Sequence, residues 1–532
     1  MIANNQNTQR STPLHSGNIP PMNMWSNRPP MPPNLNRPMS RRARLGKRLM
    51  SGASAYSNSL PNWFATYAVG AYAVALLGVN LVNSNFATEW YFWLSGFMWV
   101  GGFFFLCVRY SHVWSINHMH GTKAFEKKLF WTGLLIRIAY VFLSYWFYNE
   151  MTGMPYEYSK ADSIGYVETA TGFASYWEHG TLFVELKMYA EAFLSDMGYP
   201  LFLMPIVRVV EGTEVNLLIR IVHAILGAYT AVLIYRIAAR SMDANTARLA
   251  AIFCMLHPVL ICYCGITLKE TLMTFLLVLF IDMASRMIEG RKYTFAAIAP
   301  MIIVGLSLFL FRTVLGVIAF MALFFALVML DTKVVSLGKK IALGTMVAGI
   351  LFMSLSENIM REVRQITEID VRGQQQTSLT RRYGEGKQGG NVFAKYAGAA
   401  VFAPLIFTIP FPTMVATYGQ EDMRLIHGGN WMRNVMSGFV ILAMFMLLLS
   451  GDWRKYTLPL AMLLGYLLML AFTQFAHSLR FHIPIMPFEM IFAAYAITSM
   501  RKKHKNWYLI WCLLCVVMCF GWNWFKLAGR GL

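Results

Sequence analysis

Asp162 is the first residue of this sequence whose type and position could support catalysis. It lies in the polar stretch 149–198, shortly after an apolar run, and Tyr166 follows four residues later. A carboxylate just beyond a membrane helix could act as general base on substrates that arrive along a bilayer surface. The alternative is structural, because Asp162 could cap a helix that begins at Ser163.

Lys269 and Glu270 place a cation beside an acid in the short turn 265–271, between two apolar runs. Ionisable groups close to hydrocarbon are costly, so they are candidates for a function. Glu270 is therefore a second candidate acid, and Lys269 a candidate ligand for an anion. A lysine that reaches toward the interface and a glutamate favoured by a helix dipole would explain the same pair without a function.

Two arginines are candidate phosphate ligands. Arg312 ends one apolar run, and Arg480 and His482 precede Pro484 and Pro487 near the end of the chain. Arginine suits bidentate binding of phosphate, and the prolines restrain the backbone after Arg480. Lipid phosphate or pyrophosphate is the expected ligand at this depth. Pairing with lipid headgroups at the interface is the alternative.

The composition shows which elements must position these residues. Of the 532 residues, 57% are hydrophobic and 14% charged, and the mean hydropathy is +0.46, whereas soluble domains carry about 25% charged residues. The apolar runs are roughly 17 to 23 residues long, close to the length of a membrane-spanning helix. Lipid offers backbone N–H and C=O groups no hydrogen-bond partner, so only helices and closed barrels can span a membrane. The strands of a barrel would alternate in polarity, which these runs do not. The sequence therefore predicts an all-α polytopic membrane protein.

The apolar runs predict about thirteen transmembrane helices. They cover residues 62–82, 90–109, 129–148, 214–236, 249–266, 271–287, 295–312, 314–330, 341–355, 432–450, 457–475, 483–499 and 507–525. Two further stretches are ambiguous, because 199–210 is too short to cross a membrane and 396–417 is interrupted by three prolines.

The basic residues predict the orientation of the chain. The net charge is +20, but Lys and Arg lie mostly at the ends of apolar runs, which indicates topology signals and lipid contacts and not nucleic acid. If both ambiguous stretches enter the membrane and return, the basic turns all face the cytoplasm. If only the first crosses, three of these turns face outward. We prefer the first arrangement, which places the N-terminus in the cytoplasm and the loop 149–198, with two amphipathic helices, on the other side.

Four parts follow from these patterns. Residues 1–60 form a disordered basic tail, 61–128 two extra N-terminal transmembrane helices, 129–500 a catalytic transmembrane module and 501–532 a C-terminal transmembrane helix. Within the module, the polar loop 356–395 could cover a site. It could equally be a solvated connection.

In their order along the chain, these segments resemble the GT-C superfamily of integral-membrane glycosyltransferases, which includes protein O-mannosyltransferases and lipid A aminoarabinose transferases. The resemblance covers roughly residues 128–500. It rests on Asp162 with Tyr166, on Gly198-Tyr199-Pro200, on His257-Pro258 followed by Tyr263, Gly265 and Lys269-Glu270, and on the segment from Arg480 to Pro487.

The resemblance implies a GT-C-like helical bundle in the plasma (inner) membrane, with its active site on the non-cytoplasmic face. The donor would be a polyprenyl-phosphate sugar and the acceptor a glycan, a lipid or a protein. Asp162 would be the catalytic base, with Glu270 the next candidate acid. Lys269, Arg312 and Arg480 would hold the donor phosphate, and Tyr166 and His482 would complete the substrate site. The first-loop acid is a single Asp, not the Asp-Glu pair of several branches. The cofactor therefore stays open: a divalent metal is possible, but the sequence does not support one.

Two other functions stay open from the sequence. A polymerase or ligase of lipid-linked polysaccharide shares the membrane setting but would use a diphosphate-linked donor. A transporter or flippase would place its substrate at the broken stretches 199–210 and 396–417. The sequence shows no internal repeat that would favour a transporter, and its polar features collect on one predicted side.

Overall fold

The computed structural model describes residues 59–83, 90–115, 121–210, 212, 214–290, 294–329, 405–415, 421–471, 476, 478–500 and 505–528. Three sequence predictions therefore fall outside the described residues: nearly all of the tail 1–60, the apolar run 341–355 and the polar loop 356–395. Of the ambiguous stretch 396–417, only residues 405–415 are described. In these ranges all regular secondary structure is helical.

We number the α-helices of the described residues in chain order. They are α1 (Asn62–Asn83), α2 (Trp90–Val113), α3 (Thr122–Thr152), α4 (Ala161–Glu178), α5 (Leu182–Val207), α6 (Glu214–Ser241), α7 (Ala244–Leu256), α8 (Pro258–Cys262), α9 (Glu270–Gly290), α10 (Phe295–Ser307), α11 (Thr313–Met329), α12 (Glu421–Leu425), α13 (His427–Ser450), α14 (Thr457–Ala471), α15 (Leu479–His482), α16 (Met486–Ser499) and α17 (Lys505–Ala528). Four 3₁₀ turns accompany them at Tyr263–Gly265, Leu308–Leu310, Asp452–Tyr456 and Ile483–Ile485.

The all-α polytopic class is confirmed, but the count of thirteen spans is not. Over the described ranges, eight helices are long and apolar enough to cross a membrane, and α7 with α8 makes a ninth if this pair, bent by 49°, is one broken span. The eight are formed by α1, α2, α3, α6, α9, α13, α15 with α16, and α17. The predicted runs 295–312 and 314–330 form shorter apolar helices.

The ambiguous stretch 199–210 is the end of a longer helix. Helix α5 begins in the polar loop at Leu182 and continues to Val207, with non-helical dihedral angles at Phe193 and with Pro200 and Pro205 inside it. A proline removes one backbone donor and bends the helix that contains it. The stretch is therefore continuous with the second of the two helices that the loop 149–198 was predicted to contain.

The centre of the bundle is formed by helices that are apolar on all sides. Every residue of α16 except Ser499 is buried, and α7 is buried from Thr246 onward. A helix that is hydrophobic all round must be enclosed by others, and α16 packs against α7 and α13 while α6 packs against α3, α7 and α9. Small residues such as Ala250 and Ala494 allow the backbones to approach closely.

The two N-terminal helices and the last helix cover one side of this centre. Helix α1 packs against α2 and α17. The Tyr508 hydroxyl donates to the Phe64 carbonyl oxygen at 2.9 Å, and the two rings stack at 5.2 Å. Residues from the two ends of the chain therefore share one buried contact.

Candidate active site

Arg480 lies between two carboxylates that are far apart in the sequence. Its NH1 group donates to Asp162 Oδ2 and its Nε donates to Glu270 Oε1, across 318 and 210 positions of chain. The side chain of Asp162 is 55% exposed, that of Arg480 is 24% exposed, and Glu270 is fully buried. We call these three residues the Arg480 cluster. It connects an accessible carboxylate to a buried one through a single guanidinium.

The start of α4 positions Asp162. The helix begins at Ala161, and Lys160 occupies the N-cap without a side-chain hydrogen bond. Asp162 lies inside the first turn, where the helix dipole favours a carboxylate. The alternative that Asp162 caps a helix beginning at Ser163 is therefore wrong, and its carboxylate is engaged by Arg480 instead.

Glu270 is the first residue of α9 and is enclosed by protein. Its Oε1 pairs with Arg480, whereas Oε2 is buried without a hydrogen-bond partner in the described part of the chain. A buried acceptor without a donor is costly, and buried ionisable groups with a specific charge partner are frequent in functional sites. The carboxylate lies at the N-terminal end of α9, where the helix dipole is favourable to a negative charge.

Lys269 connects the turn before α9 to α5. Its Nζ donates to Asp196 Oδ1, to the Phe311 carbonyl oxygen at 2.7 Å and to the Ser195 carbonyl oxygen at 3.1 Å. Burial lowers the pKa of Lys269, and the negative charge of Asp196 opposes that shift. A lysine ammonium has three donors, and all three are used. In this arrangement Lys269 has no donor left for a phosphate.

Asp196 belongs to this region although the sequence assigned it no role. Besides Lys269, it accepts a hydrogen bond from the Tyr166 hydroxyl at 3.2 Å, and Tyr166 stands 30 positions earlier. The available signal was the acidic residue just before Gly198-Tyr199-Pro200. Only the antiparallel packing of α4 on α5 shows that it faces Tyr166.

Gly198 permits this close packing. A Cβ at Gly198 would lie 2.8 Å from the Leu310 Cβ and 3.0 Å from the Leu310 carbonyl oxygen. Tyr199 packs edge-on against Tyr166 at 5.1 Å, and its hydroxyl donates to His223 Nε2 at 3.2 Å. The Gly-Tyr pair thus brings α5 against the turn that precedes Arg312.

Arg312 is the second guanidinium of the site. Its NH1 donates to the Tyr466 hydroxyl at 2.9 Å, and its guanidinium lies 4.1 Å from the centroid of the Phe481 ring. Phe481 directly follows Arg480 in the chain, so Arg312 contacts the same short helix that carries Arg480. Among the described residues Arg312 has no carboxylate partner within ion-pairing distance, and of Lys269, Arg312 and Arg480 it donates the fewest of the hydrogen bonds described here.

A comparison with known protein families bears on the C-terminal part of this site. Residues 413–529 match the model of the Alg9-like mannosyltransferase family. The match covers 117 of the 532 residues and indicates a membrane glycosyltransferase of the GT-C type. Comparisons of the glycosyltransferase with curated proteins and with solved structures gave no match.

The family match covers the smaller part of the glycosyltransferase's candidate site. It includes Tyr466, Arg480 and Phe481, whereas Asp162 and Glu270 lie earlier in the chain. The Arg480 cluster therefore joins the matched segment to residues that were singled out by the resemblance to the GT-C superfamily.

His482 does not join the Arg480 cluster of the glycosyltransferase. It is fully buried, its Nδ1 accepts from Arg433 NH2 at 2.9 Å, and its Nε2–H donates to the Ala476 carbonyl oxygen at 2.7 Å. Arg433 in turn pairs with Glu489 at 2.7 Å. Positions two residues apart on a helical turn point in different directions, so we leave His482 out of the proposed substrate site.

The segment before Asp162 is fixed by groups from two other elements. Asp422 of α12 accepts the backbone N–H groups of Tyr158 at 3.1 Å and Ser159 at 2.8 Å. Burial raises the pKa of Asp422, and these hydrogen bonds oppose the shift. From α6, Asn216 Nδ2 donates to the Pro155 carbonyl oxygen at 3.0 Å, and Arg220 NH2 donates to the same oxygen.

Glu157 adds a third attachment next to Asp162. Its carboxylate is buried and accepts a hydrogen bond from the Ser163 hydroxyl. Burial raises the pKa of Glu157, and the Ser163 hydrogen bond opposes that shift. The backbone that carries Asp162 is thus held on both sides. Within the described ranges, no three His, Cys, Asp or Glu side chains form a group that could hold a metal ion.

Proposed function

We propose that this glycosyltransferase moves a sugar from a polyprenyl-phosphate donor to a hydroxyl group of a glycan, lipid or protein acceptor. The observation that carries the proposal is the Arg480 cluster, in which an exposed carboxylate, a buried carboxylate and a cation suited to phosphate meet. The name of the matched family makes mannose the first sugar to test.

In the proposed reaction, the acceptor oxygen forms a bond to the anomeric carbon while the bond from that carbon to the phosphate oxygen breaks. Asp162 accepts the proton of the acceptor hydroxyl, and the lipid phosphate leaves with the electron pair. Attack from the side opposite the leaving group inverts the anomeric configuration. The partial exposure of Asp162 supports this role, because a general base must come within hydrogen-bonding distance of the acceptor.

Arg312 and Arg480 are the proposed phosphate ligands. Preorganised cations stabilise the charge that develops on a departing phosphate, and guanidinium groups bind phosphate in a bidentate manner. Arg480 pairs with Asp162 in the structure without substrate. A donor phosphate that replaces Asp162 at NH1 would release this carboxylate to act as a base. Glu270, bound at Nε, would keep Arg480 in place during the exchange.

Lys269 and Tyr166 support the site in this proposal but do not donate hydrogen bonds to the phosphate. Lys269 contributes positive charge and fixes Asp196, and Asp196 fixes Tyr166. Tyr166 is partly exposed and lies one turn after Asp162 on α4. It remains a proposed substrate-binding residue, and all these residues fall within the proposed catalytic module 129–500, between the helices 61–128 and 501–532.

The proposed orientation places the Arg480 cluster on the non-cytoplasmic face of the plasma (inner) membrane and the N-terminus in the cytoplasm. Glu270 begins α9, whereas Asp282 near its other end binds Arg240 and Arg286. The 21 residues of α9 span about 30 Å, the thickness of the hydrocarbon core. The basic end is therefore the expected cytoplasmic end.

The direct test uses purified full-length protein in lipid nanodiscs with polyprenyl-phosphate mannose and a panel of other polyprenyl-phosphate sugars. Release of polyprenyl phosphate with transfer of the sugar, in the absence of any gradient, is the expected result. Consumption of only diphosphate-linked oligosaccharides would contradict the donor assignment and favour a polymerase or ligase. Movement of lipid across the bilayer of proteoliposomes without cleavage, measured with the same purified protein, would favour a flippase.

A further inference from the structure

An open pocket of about 260 Å³ lies between α4 and α5, separate from the Arg480 cluster. Its lining combines three aromatic rings, one carboxylate and three hydroxyl groups, two of them from tyrosines. The lining residues, which we call the hairpin pocket, are Thr169, Gly172, Phe173, Tyr176, Glu185 and Tyr189.

The pocket lies on the same face of α4 as Asp162 and Tyr166 of the candidate active site. Asp162, Tyr166, Thr169, Phe173 and Tyr176 follow one another at intervals of four and three residues, the spacing that places side chains on the same side of a helix. At a rise of 1.5 Å per residue, this row extends about 21 Å from the carboxylate. A ligand with several linked units could occupy both ends at once.

Helix α5 packs along α4 over the same stretch. Tyr166 donates to Asp196 at 3.2 Å near the active site, and Phe173 meets Tyr189 edge-on at 5.3 Å further along. Glu185 lies one turn before Tyr189 on α5, close to the turn that joins the two helices. These contacts pair the two helices in order, with the Tyr166–Asp196 contact nearer the Arg480 cluster and the pocket further from it.

The chemistry of the lining fits a neutral sugar better than a lipid or an anion. The C–H face of a sugar ring packs against aromatic rings, which provide large apolar surface, and its hydroxyls can donate to a carboxylate. Glu185 disfavours a phosphate or another anion in the pocket, because like charges repel. An acyl chain in the pocket would leave the Glu185 carboxylate without hydrogen bonds.

We propose that the hairpin pocket binds sugar units of a saccharide acceptor, while the hydroxyl at the end of that saccharide reaches Asp162. The inference rests on the proposed glycosyl transfer and deepens it, because among the possible acceptors it selects a chain of several sugars. Tyr189 and Tyr176 supply the stacking surface, and Glu185 accepts hydrogen bonds from hydroxyls.

The binding arm of the test does not depend on catalysis. Full-length protein in nanodiscs is mixed with neutral trisaccharides of mannose, glucose, galactose or N-acetylglucosamine, and ligand-observed saturation-transfer NMR detects contact. At least one trisaccharide should bind, and Tyr189→Ala and Glu185→Gln should weaken its binding about tenfold. The matched control is Phe183→Ala, since this aromatic is 82% exposed on the opposite side of α5 from Glu185.

The kinetic arm uses the saccharide that binds as acceptor. Tyr189→Ala should raise its KM about tenfold and leave the release of lipid phosphate to water unchanged, whereas Phe183→Ala should change neither. If no trisaccharide binds, or if Tyr189→Ala and Phe183→Ala behave alike in binding and KM, the pocket assignment is overturned while the transfer reaction stands. If Tyr189-dependent binding is found without any sugar transfer, the pocket is supported and the proposed reaction fails.

Discussion

Arg480 and Glu270 form an ion pair in which the carboxylate is completely buried and the guanidinium also reaches Asp162 on the exposed side. A buried ion pair of this kind maintains the stability of the fold only while both partners are present, because removal of one leaves an uncompensated buried charge. The geometry makes Arg480 both a structural partner and a candidate phosphate ligand. These two roles can be separated by mutation.

Arg480→Ala should lower the stability of the protein by about 3–5 kcal/mol, since Glu270 would stay buried without its cation. The double variant Arg480→Ala with Glu270→Gln should recover most of that loss but none of the donor binding. Thermal unfolding in detergent and a donor-binding assay would measure the two effects. Equal stability of the single and double variants would contradict the role of Arg480 as the structural partner of Glu270.

Asp162→Asn should reduce sugar transfer by about 10² to 10⁴, the usual contribution of a general base. The amide oxygen can still accept from Arg480 NH1, so the unfolding midpoint should stay close to that of the wild type. Initial rates with saturating donor would measure the effect. Activity close to that of the wild type would move the role of the base to Glu270.

Arg312→Lys should weaken donor binding, because it keeps the charge but loses the planar fork of donors, and Arg312→Ala should weaken it further. The loss for alanine is expected to reach about tenfold to a hundredfold, the usual range for hydrogen bonds to a charged group. Equilibrium binding of polyprenyl-phosphate sugar would measure it. Arg454→Ala is the control, because Arg454 is an exposed arginine beside Trp453, in the turn before α14. If Arg312→Ala and Arg454→Ala bind donor equally well, Arg312 does not hold the phosphate.

Glu157→Gln should become more stable relative to the wild type as pH rises. Burial raises the folded-state pKa of Glu157 above its ordinary value, so the folded protein holds the proton to a higher pH than the unfolded chain. The stability of the wild type therefore decreases as pH rises from the unfolded-state pKa to the folded-state pKa of Glu157. The variant has no ionisable group at this position and does not show this decrease. Unfolding midpoints from pH 4 to pH 8 would show it. A constant difference between the two proteins over that range would contradict the assignment.

A cysteine at His179 should react with an impermeant maleimide in intact cells whose outer barrier is permeabilised. His179 is exposed at the end of α4, and the seven native cysteines are all buried, so their background should be low. Lys455→Cys, in the exposed turn before α14, should react only after lysis. The reverse pattern would invert the proposed topology.

The sequence by itself determined the class of protein and most of the helices that the structure describes. Apolar runs near 214–236 and 271–287 appear as α6 and α9, because the requirement to satisfy backbone groups in lipid acts locally on each segment. The same local reasoning singled out Asp162, Glu270 and Arg480, since ionisable groups at the ends of apolar runs are costly wherever the chain later places them.

Only the tertiary structure decided how these residues are used. Arg480 meets Asp162 across 318 positions of chain, Lys269 uses its three donors within the protein, Asp196 joins Tyr166, and His482 turns toward Arg433. The thirteen predicted spans likewise became eight long helices, with a bent pair and shorter pieces, over the described ranges. Hydropathy along the chain indicates the free energy of placing each segment in lipid. Which side chains contact one another depends instead on the packing of helices that are distant in sequence.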